Sequence, residues 1–407
     1  MRRLDEYRPI IGDKKLAEIY KKIRKLYNIR IIHVNSTFMG GGVAEILTSL
    51  APLMNSAGLT ADWRTIHGNP DLFDITKKFH NALQGDNINL SQIKKNLYIQ
   101  ASENFAVYAN LNYDVVIVHD PQPLPLIDFY KKNQPWIWRC HIDLSNPHTG
   151  LWEFLKGYIL RYDLAIVSHD AYVKKDLPVE QKVIQPVIDP LTPKNMPLNN
   201  GMIDKYLKKF GVPTDKPLIT QISRFDKWKD PAGVIDVFKK VKQKIDCRLV
   251  LCGSMASDDP EGVKIYEKVK QRANNMITSG DIILITHENN ILVNALQRVS
   301  SVIIQKSIRE GFGLTVTEAL WKEKPVVASN VGGIPLQIED EKTGFLLAPD
   351  DNDGFVDRIV ELIKNPALGK QLGKAARENV REKFLITRLL RDYLDIISYE
   401  LGNYNLY

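Results

Sequence analysis

Short apolar, β-branched runs alternate with longer amphipathic stretches along almost the whole chain. In the first half the runs are IRIIHV (29–34), TADWRTI (60–66), DVVIVH (114–119), WIWRCH (136–141) and LAIVS (164–168). Helical spacing lies between them, at about 43–56, 71–83, 101–111 and 151–160. The second half repeats the pattern with LITQIS (218–223), CRLVLC (247–252), IILI (282–285), SVII (301–304) and PVVAS (325–329). Strands that alternate with helices in this way form parallel sheets covered on both faces. The two halves are joined by QPVIDPLTPKNMPLNN (185–200), where Pro186, Pro190, Pro193 and Pro197 disfavour a helix or an internal strand. One helix start is explicit: in KDPAGVIDVFKKV, Asp230 can cap and Pro231 suits the first helical position. The chain closes on Ile386, Leu389, Leu390, Tyr393, Leu394, Ile397 and Leu401 at three- and four-residue spacing. That is one amphipathic helix, with Gly402 read as its stop.

Length turns this alternation into two domains, because 407 residues exceed one ordinary core. The predicted fold class is α/β, two Rossmann-like doubly wound domains facing across a cleft. Ligands of such sheets bind outside the carboxyl ends of the strands. The net charge of +7 is dispersed along helices and interleaved with acids, so no nucleic-acid partner is expected. No apolar run reaches the roughly 18 residues of a membrane span, and no apolar segment follows the basic start MRRLDEYRPIIG. Neither a membrane partner nor secretion is expected. Cys140, Cys247 and Cys252 have neither metal-ligand spacing nor a disulfide pattern, which fits a reducing cytoplasm. Plentiful lysine with sparse cysteine fits a heat-adapted source.

Candidate chemistry gathers at the predicted strand ends. REGFGLTVTEAL (309–320) follows SVII and leads into a helix beginning near Thr315. Gly311 and Gly313 let backbone amides approach a ligand closely, and the helix N-terminus favours phosphate. Glu310 and Glu318 bracket this turn and can accept from sugar hydroxyls. A solvated turn with two surface acids satisfies the same letters. SRFDKWKDP places Arg224 and Lys229 directly after LITQIS, where two cations can neutralise a diphosphate leaving group, or form an ordinary basic loop. STFMGGGVAEIL (36–47) sets Gly40, Gly41 and Gly42 between the first strand and the first helix. Glu45 stands where a dinucleotide fingerprint needs its third Gly or Ala, which disfavours a nicotinamide dehydrogenase. This loop either packs its backbone on a phosphate or sugar or is a structural turn. His141 and Asp143 end WIWRCH, and His119 and Asp120 end the neighbouring run, a pattern suited to a hydroxyl-rich ligand. No Gly-x-Ser-x-Gly elbow supports a hydrolase. The acid pairs Asp258/Asp259 and Asp351/Asp353 lie in hydrophilic loops before helices, where capping is the simpler role, and no metal is expected.

REGFGLTVTEAL, KPVVASNVGGIP, TGFLLAPDD, SRFDKWKDP and GGGVAE together resemble glycosyltransferase family 4. HDPQPLPLI, WRCHIDLSNP and PVIDPLTPKN are similar to the trehalose glycosyltransferring synthases of thermophilic archaea and bacteria within it. The resemblance implies the GT-B architecture, with an N-terminal acceptor-side domain of residues 1–188 plus a returning helix at 386–407. A nucleotide-sugar domain of residues 189–385 completes it. It also implies retaining transfer of glucose from a nucleotide-diphosphate glucose, such as UDP-glucose or ADP-glucose, to free glucose, giving α,α-trehalose reversibly. Arg224 and Lys229 would hold the diphosphate. Glu310 would take donor-sugar hydroxyls, Glu318 the ribose, and the backbone of Gly311, Phe312, Gly313 and Leu314 the sugar or phosphate. Gly41 and Gly42 would border the diphosphate, His141 would lie near the donor sugar, and Asp143 is an acceptor contact or, in a double displacement, the nucleophile. No cofactor is required, and a homodimer is the one protein partner left open. Two departures stand out: Leu336 replaces the Glu usual after GGIP, and Glu323 replaces a common Gly before KPVV. The competing functions are a retaining trehalose phosphorylase, a family 4 synthase for another acceptor, and a non-catalytic sugar-nucleotide-binding protein.

Overall fold

A computed structural model describes residues 2–39, 41–68, 70–253, 260–287 and 289–404. Gly40, Asp258 and Asp259 therefore lie outside the described residues. The chain divides into two compact units, residues 1–187 with 386–407, and residues 188–385.

The first unit carries six parallel strands: β1 (Arg30–Asn35), β2 (Thr60–Thr65), β3 (Val115–His119), β4 (Trp136–Arg139), β5 (Leu164–Val167) and β6 (Glu180–Val183). Their spatial order is β2-β1-β3-β4-β5-β6. The helices are α1 (Arg8–Ile23), α2 (Gly42–Ser56), α3 (Pro70–Leu83), α4 (Gln92–Tyr108) and α5 (Thr149–Ile159). The central strands are apolar on both faces, as a sheet covered twice requires. Ile32, Val34, Val116, Val118, Trp136 and Trp138 pack with Phe79, Tyr98 and Leu155 of α3, α4 and α5.

The second unit repeats the plan with β7 (Leu218–Ile222), β8 (Arg248–Cys252), β9 (Ile282–Ile285), β10 (Val302–Gln305), β11 (Val326–Ser329) and β12 (Phe345–Leu347). Its order is β12-β11-β10-β7-β8-β9. The helices are α6 (Asn200–Lys209), α7 (Pro231–Lys244), α8 (Pro260–Thr278), α9 (Asn290–Val299), α10 (Leu314–Trp321), α11 (Asn352–Lys364) and α12 (Pro366–Lys383). The last helix, α13 (Ile386–Tyr404), belongs to the first unit and packs on α1 and α2. In each sheet the chain reverses its direction of strand addition once, between β1 and β3 and between β7 and β10. Such reversals open a crevice at the carboxyl edge, where doubly wound sheets hold their ligands.

Several local expectations are corrected. The helix expected over 101–111 spans Gln92–Tyr108, with Ser91 as its cap. Gly402 does not stop the last helix, which runs on to Tyr404. One glycine costs a helix only about 1 kcal/mol, and the Tyr404 hydroxyl contacts both Asp163 carboxylate oxygens at 3.1 Å. Asp230 and Pro231 do start α7: the Asp230 carboxylate accepts the Gly233 N–H at 2.9 Å. Asp351 caps α11 in the same way. Glu323 sits in the left-handed region, φ 59°, which explains why glycine is the easier residue there. No helix among the described residues is long and apolar enough to cross a membrane.

Candidate functional site

The expected site residues fall into two groups, one in each unit. In the second unit, the loops leaving β7 and β10 lie side by side because their strands are neighbours at the topological switch. Lys229 Nζ reaches Glu310 Oε2 at 2.5 Å, uniting two motifs far apart in sequence. Ser307 Oγ donates to the same carboxylate oxygen at 3.3 Å. Arg224 stands close by in sequence and remains about one-third exposed, with Nη2 3.8 Å from Asp226 Oδ2. This loop is held from below by Gln221 on β7, which is buried. Its amide donates to the Lys229 carbonyl at 3.0 Å, and its side-chain oxygen accepts the Lys306 N–H at 3.1 Å. One side chain thus ties both loops. The Ile308 N–H adds a bond to the Trp228 carbonyl at 2.7 Å.

Gly313 takes φ +86° and caps α10, the left-handed conformation that glycine adopts without a Cβ penalty. The helix begins at Leu314, so the turn 311–314 forms its N-terminal end. Phe312 is buried and packs on Phe384, so it can offer a ligand only its backbone. Gln337 anchors that turn by donating to the Phe312 carbonyl at 2.5 Å, while Thr317 donates to the Gln337 side-chain oxygen at 2.6 Å. This places the structural work at Gln337, beside Leu336. Glu318 is fully buried one turn into α10, with Lys194 Nζ 3.4 Å from Oε1. Lys322 Nζ donates to the Glu318 carbonyl at 3.1 Å, and to Asn195 Oδ1 and Gln297 Oε1.

In the first unit, Gly41 is the extended N-cap of α2 and Gly42 its first residue. A Cβ built on Gly41 meets no atom of the described residues within 4 Å, so packing among them does not demand glycine here. His141 and Asp143 follow β4. Asp143 is buried, and its Oδ1 accepts the Ser145 N–H at 2.8 Å. The His141 backbone N–H donates to Asp120 Oδ1 at 2.7 Å. Asp120 holds a left-handed backbone, φ 60°, and burial pushes its carboxyl up to about 7 against the opposing pull of the His141 N–H and Arg139. His141 Nε2 lies 3.1 Å from His119 Nδ1, and His119 Nε2 lies 3.0 Å from His33 Nδ1. Burial drives all three imidazoles toward the neutral form, His33 to about 3. Arg139, buried among carbonyl oxygens, adds repulsion to a proton on His119 or His141.

Gln221, Gln337, Lys194 and His33 carry no signal in the sequence, because amides, a lysine in a proline-rich stretch and a mid-strand histidine leave no distinct pattern. Gly253 carries none either. A Cβ there would sit 1.8 Å from the Ser223 carbonyl oxygen, so only glycine lets β8 end beside the Arg224 loop.

Residues 33–174 match the family model described as trehalose synthase, N-terminal domain. Residues 202–379 match the model described as glycosyl transferases group 1. A trehalose synthase of Thermococcus litoralis is 48% identical over 404 residues, covering 98% of this chain and 97% of that protein. A trehalose phosphorylase of Pleurotus pulmonarius is 28% identical over 433 residues, covering 93% of this chain and 58% of that protein. Among solved structures, a sucrose-phosphate synthase from Thermosynechococcus elongatus superposes with a TM-score of 0.70 at 17% identity, covering 92% of this chain and 99% of that one. At that identity the likeness is one of fold.

Proposed function

The chain belongs to the trehalose synthase family of glycosyltransferases, and on that premise we propose that it moves glucose from a nucleotide-diphosphate glucose to free glucose, with retention at the anomeric carbon, to give α,α-trehalose. The observation that carries this reading is the Lys229–Glu310 contact at 2.5 Å beside Arg224. A cation suited to a diphosphate and a carboxylate suited to sugar hydroxyls occupy one spot at the switch between β7 and β10.

In this reading Arg224 and Lys229 hold the diphosphate, and their fixed charge offsets the charge that grows on the leaving group as the glycosidic bond breaks. The amide end of α10 contributes in the same sense. Glu310 accepts from donor-sugar hydroxyls and Glu318 from the ribose. The departing phosphate oxygen takes the proton of the incoming glucose hydroxyl on the same face of the sugar, so the new bond forms where the old one breaks. Asp143, occupied with the Ser145 N–H, serves as a sugar contact rather than a nucleophile. No metal takes part, since the two cations fill that role, and no cofactor is needed.

The test incubates the protein with UDP-glucose, ADP-glucose and other nucleotide-diphosphate glucoses plus free glucose, then identifies the disaccharide and its linkage. Formation of α,α-trehalose with release of the nucleoside diphosphate supports the proposal. The likeness to a trehalose phosphorylase favours a second reading, in which inorganic phosphate replaces the nucleotide at Arg224 and Lys229. Turnover of trehalose with phosphate alone, and none with any nucleotide sugar, would establish that reading instead.

A further inference from the structure

His33 and His119 lie on the neighbouring strands β1 and β3, His141 lies just past the end of β4 beside them, and their alignment follows from register. His33 on β1 stands opposite Ile117 on β3, so His119, two residues on, shares its face one step nearer the carboxyl edge. His119 stands opposite Arg139 on β4, and His141 lies two residues beyond that. Period-two alternation keeps all three on one side of the sheet. The result is a diagonal file of imidazoles leading from the buried middle of the sheet to its carboxyl edge. His33 and His119 are buried, while His141 keeps part of its surface exposed. The rings of His119 and His141 are nearly parallel, 16° apart, with centroids separated by 5.4 Å.

A neutral imidazole has one N–H and one bare nitrogen. Each of the two nitrogen–nitrogen contacts needs one of each. Three neutral rings in file therefore have only two consistent arrangements: every ring protonated at Nδ1, or every ring protonated at Nε2. The buried end decides between them. His33 Nε2 is buried without a hydrogen-bond partner among the described residues. The Tyr393 ring centroid lies 6.0 Å from the imidazole centroid, too far for its face to take a proton. A buried N–H without an acceptor is the rarer and costlier defect, and a bare nitrogen is better tolerated there. The arrangement with Nδ1–H throughout therefore prevails. It leaves the far end of the file, His141 Nδ1, as an N–H, and that nitrogen meets no protein partner among the described residues.

We propose that His33 and His119 are positioning residues that fix His141 as an Nδ1–H hydrogen-bond donor toward an oxygen of the sugar substrate. His141 then acts neither as a general base nor as a proton acceptor. This assignment of the sugar as ligand rests on the function proposed above; the locked tautomer does not. A file of this kind turns a property of one deep nitrogen into the donor polarity of a group at the sheet edge.

The test uses the whole protein with its histidines labelled with nitrogen-15 and reads each tautomer from two-bond proton–nitrogen correlations at neutral pH. The expected spectrum shows all three rings protonated at Nδ1 alone. A proton on Nε2 of any of them overturns the lock. Adding nucleotide-diphosphate glucose or trehalose should shift the His141 Nδ1 resonance without changing its tautomer. A locked file that no nucleotide sugar, glucose or trehalose perturbs overturns the sugar contact and leaves the lock standing. In His33→Asp an acceptor faces His119 Nε2, so His119 and His141 should both switch to the Nε2–H form, which leaves His141 Nδ1 bare. Transfer should slow by about five- to tenfold, the effect of one misdirected hydrogen bond. In His33→Leu no acceptor faces His119 Nε2, so the Nδ1–H form and most of the rate should persist. Unchanged tautomers and rate in His33→Asp would defeat the proposal, as would an Nε2–H form in His33→Leu. Should the Asp variant fail to fold, the wild-type and His33→Leu spectra still decide it.

Discussion

Arg224 and Lys229 differ in what their removal exposes. Arg224 is one-third exposed with a distant carboxylate, so Arg224→Ala removes a charge from the site and little else. Lys229→Ala also leaves Glu310 without its 2.5 Å cation. Each variant should slow transfer by about a hundredfold, on the order of 3 kcal/mol, as for loss of a contact to transition-state charge. Initial rates at saturating donor check this, and unchanged turnover in both would remove the diphosphate assignment. Glu318 makes a separate prediction. It is fully buried beside Lys194, so the carboxylate is held in one place rather than free to sample solvent. Glu318→Gln should weaken binding of the nucleoside diphosphate alone by roughly tenfold or more, the scale of a charge-assisted hydrogen bond. Calorimetry measures it directly, and an unaltered dissociation constant would exclude the ribose role.

The elements show which parts of the molecule were legible in the sequence. Runs such as VVIV and LVLC lie in strands buried on both faces, so their continuous apolar letters carry the signal. β6 leaves no strand signal because EQKV is a half-exposed edge strand with a single apolar residue, and β12 leaves none because three residues make too short a run. α4 has almost no apolar stripe, so only part of it could be read. The candidate loops were legible for the opposite reason. Glycines and charges at strand ends stand out against apolar runs, whereas the buried amides of Gln221 and Gln337 that tie those loops do not. Asp230 illustrates a cap whose full role needed the fold. Besides capping α7, it accepts from Lys306 Nζ at 2.6 Å, and the Lys306 side chain is only 4% exposed. Asp230→Ala should therefore cost the second unit about 3 kcal/mol, the lost cap plus a buried cation left unpaired. Lys306→Met added to it should recover much of that loss. Denaturant unfolding of the two single variants and the double variant checks the coupling, and strictly additive losses would show that the pair is not the cause.

For the whole molecule, the first unit holds two sets of buried groups whose proton linkage runs in opposite directions. His33, His119 and His141 are depressed by burial below their ordinary 6.5. The unfolded chain binds their protons first, so their contribution is present above about pH 6.5 and is lost as pH falls below that, the His33 part through about 3. Asp120 and Glu400 are raised to about 7, from 3.8 and 4.5, chiefly by burial, with Asp163 and Glu180 adding to the shift of Glu400. There the folded chain holds protons that the unfolded chain releases, so that contribution is present below about pH 4 and is lost as pH rises through about 7. Between about pH 4 and 6.5 the two sets oppose each other; above that only the acids act, and they lower stability. The double variant Asp120→Asn and Glu400→Gln removes the second set while keeping an acceptor for the His141 N–H. Relative to wild type, it should gain more melting temperature at about pH 8 than at about pH 5, because the wild type keeps its protonated acids only at the lower pH. Thermal melts of both proteins at the two pH values measure this difference. An equal shift at both would mean that Asp120 and Glu400 ionise normally in the folded chain, and that burial at the sheet edge and under α13 does not set their charge.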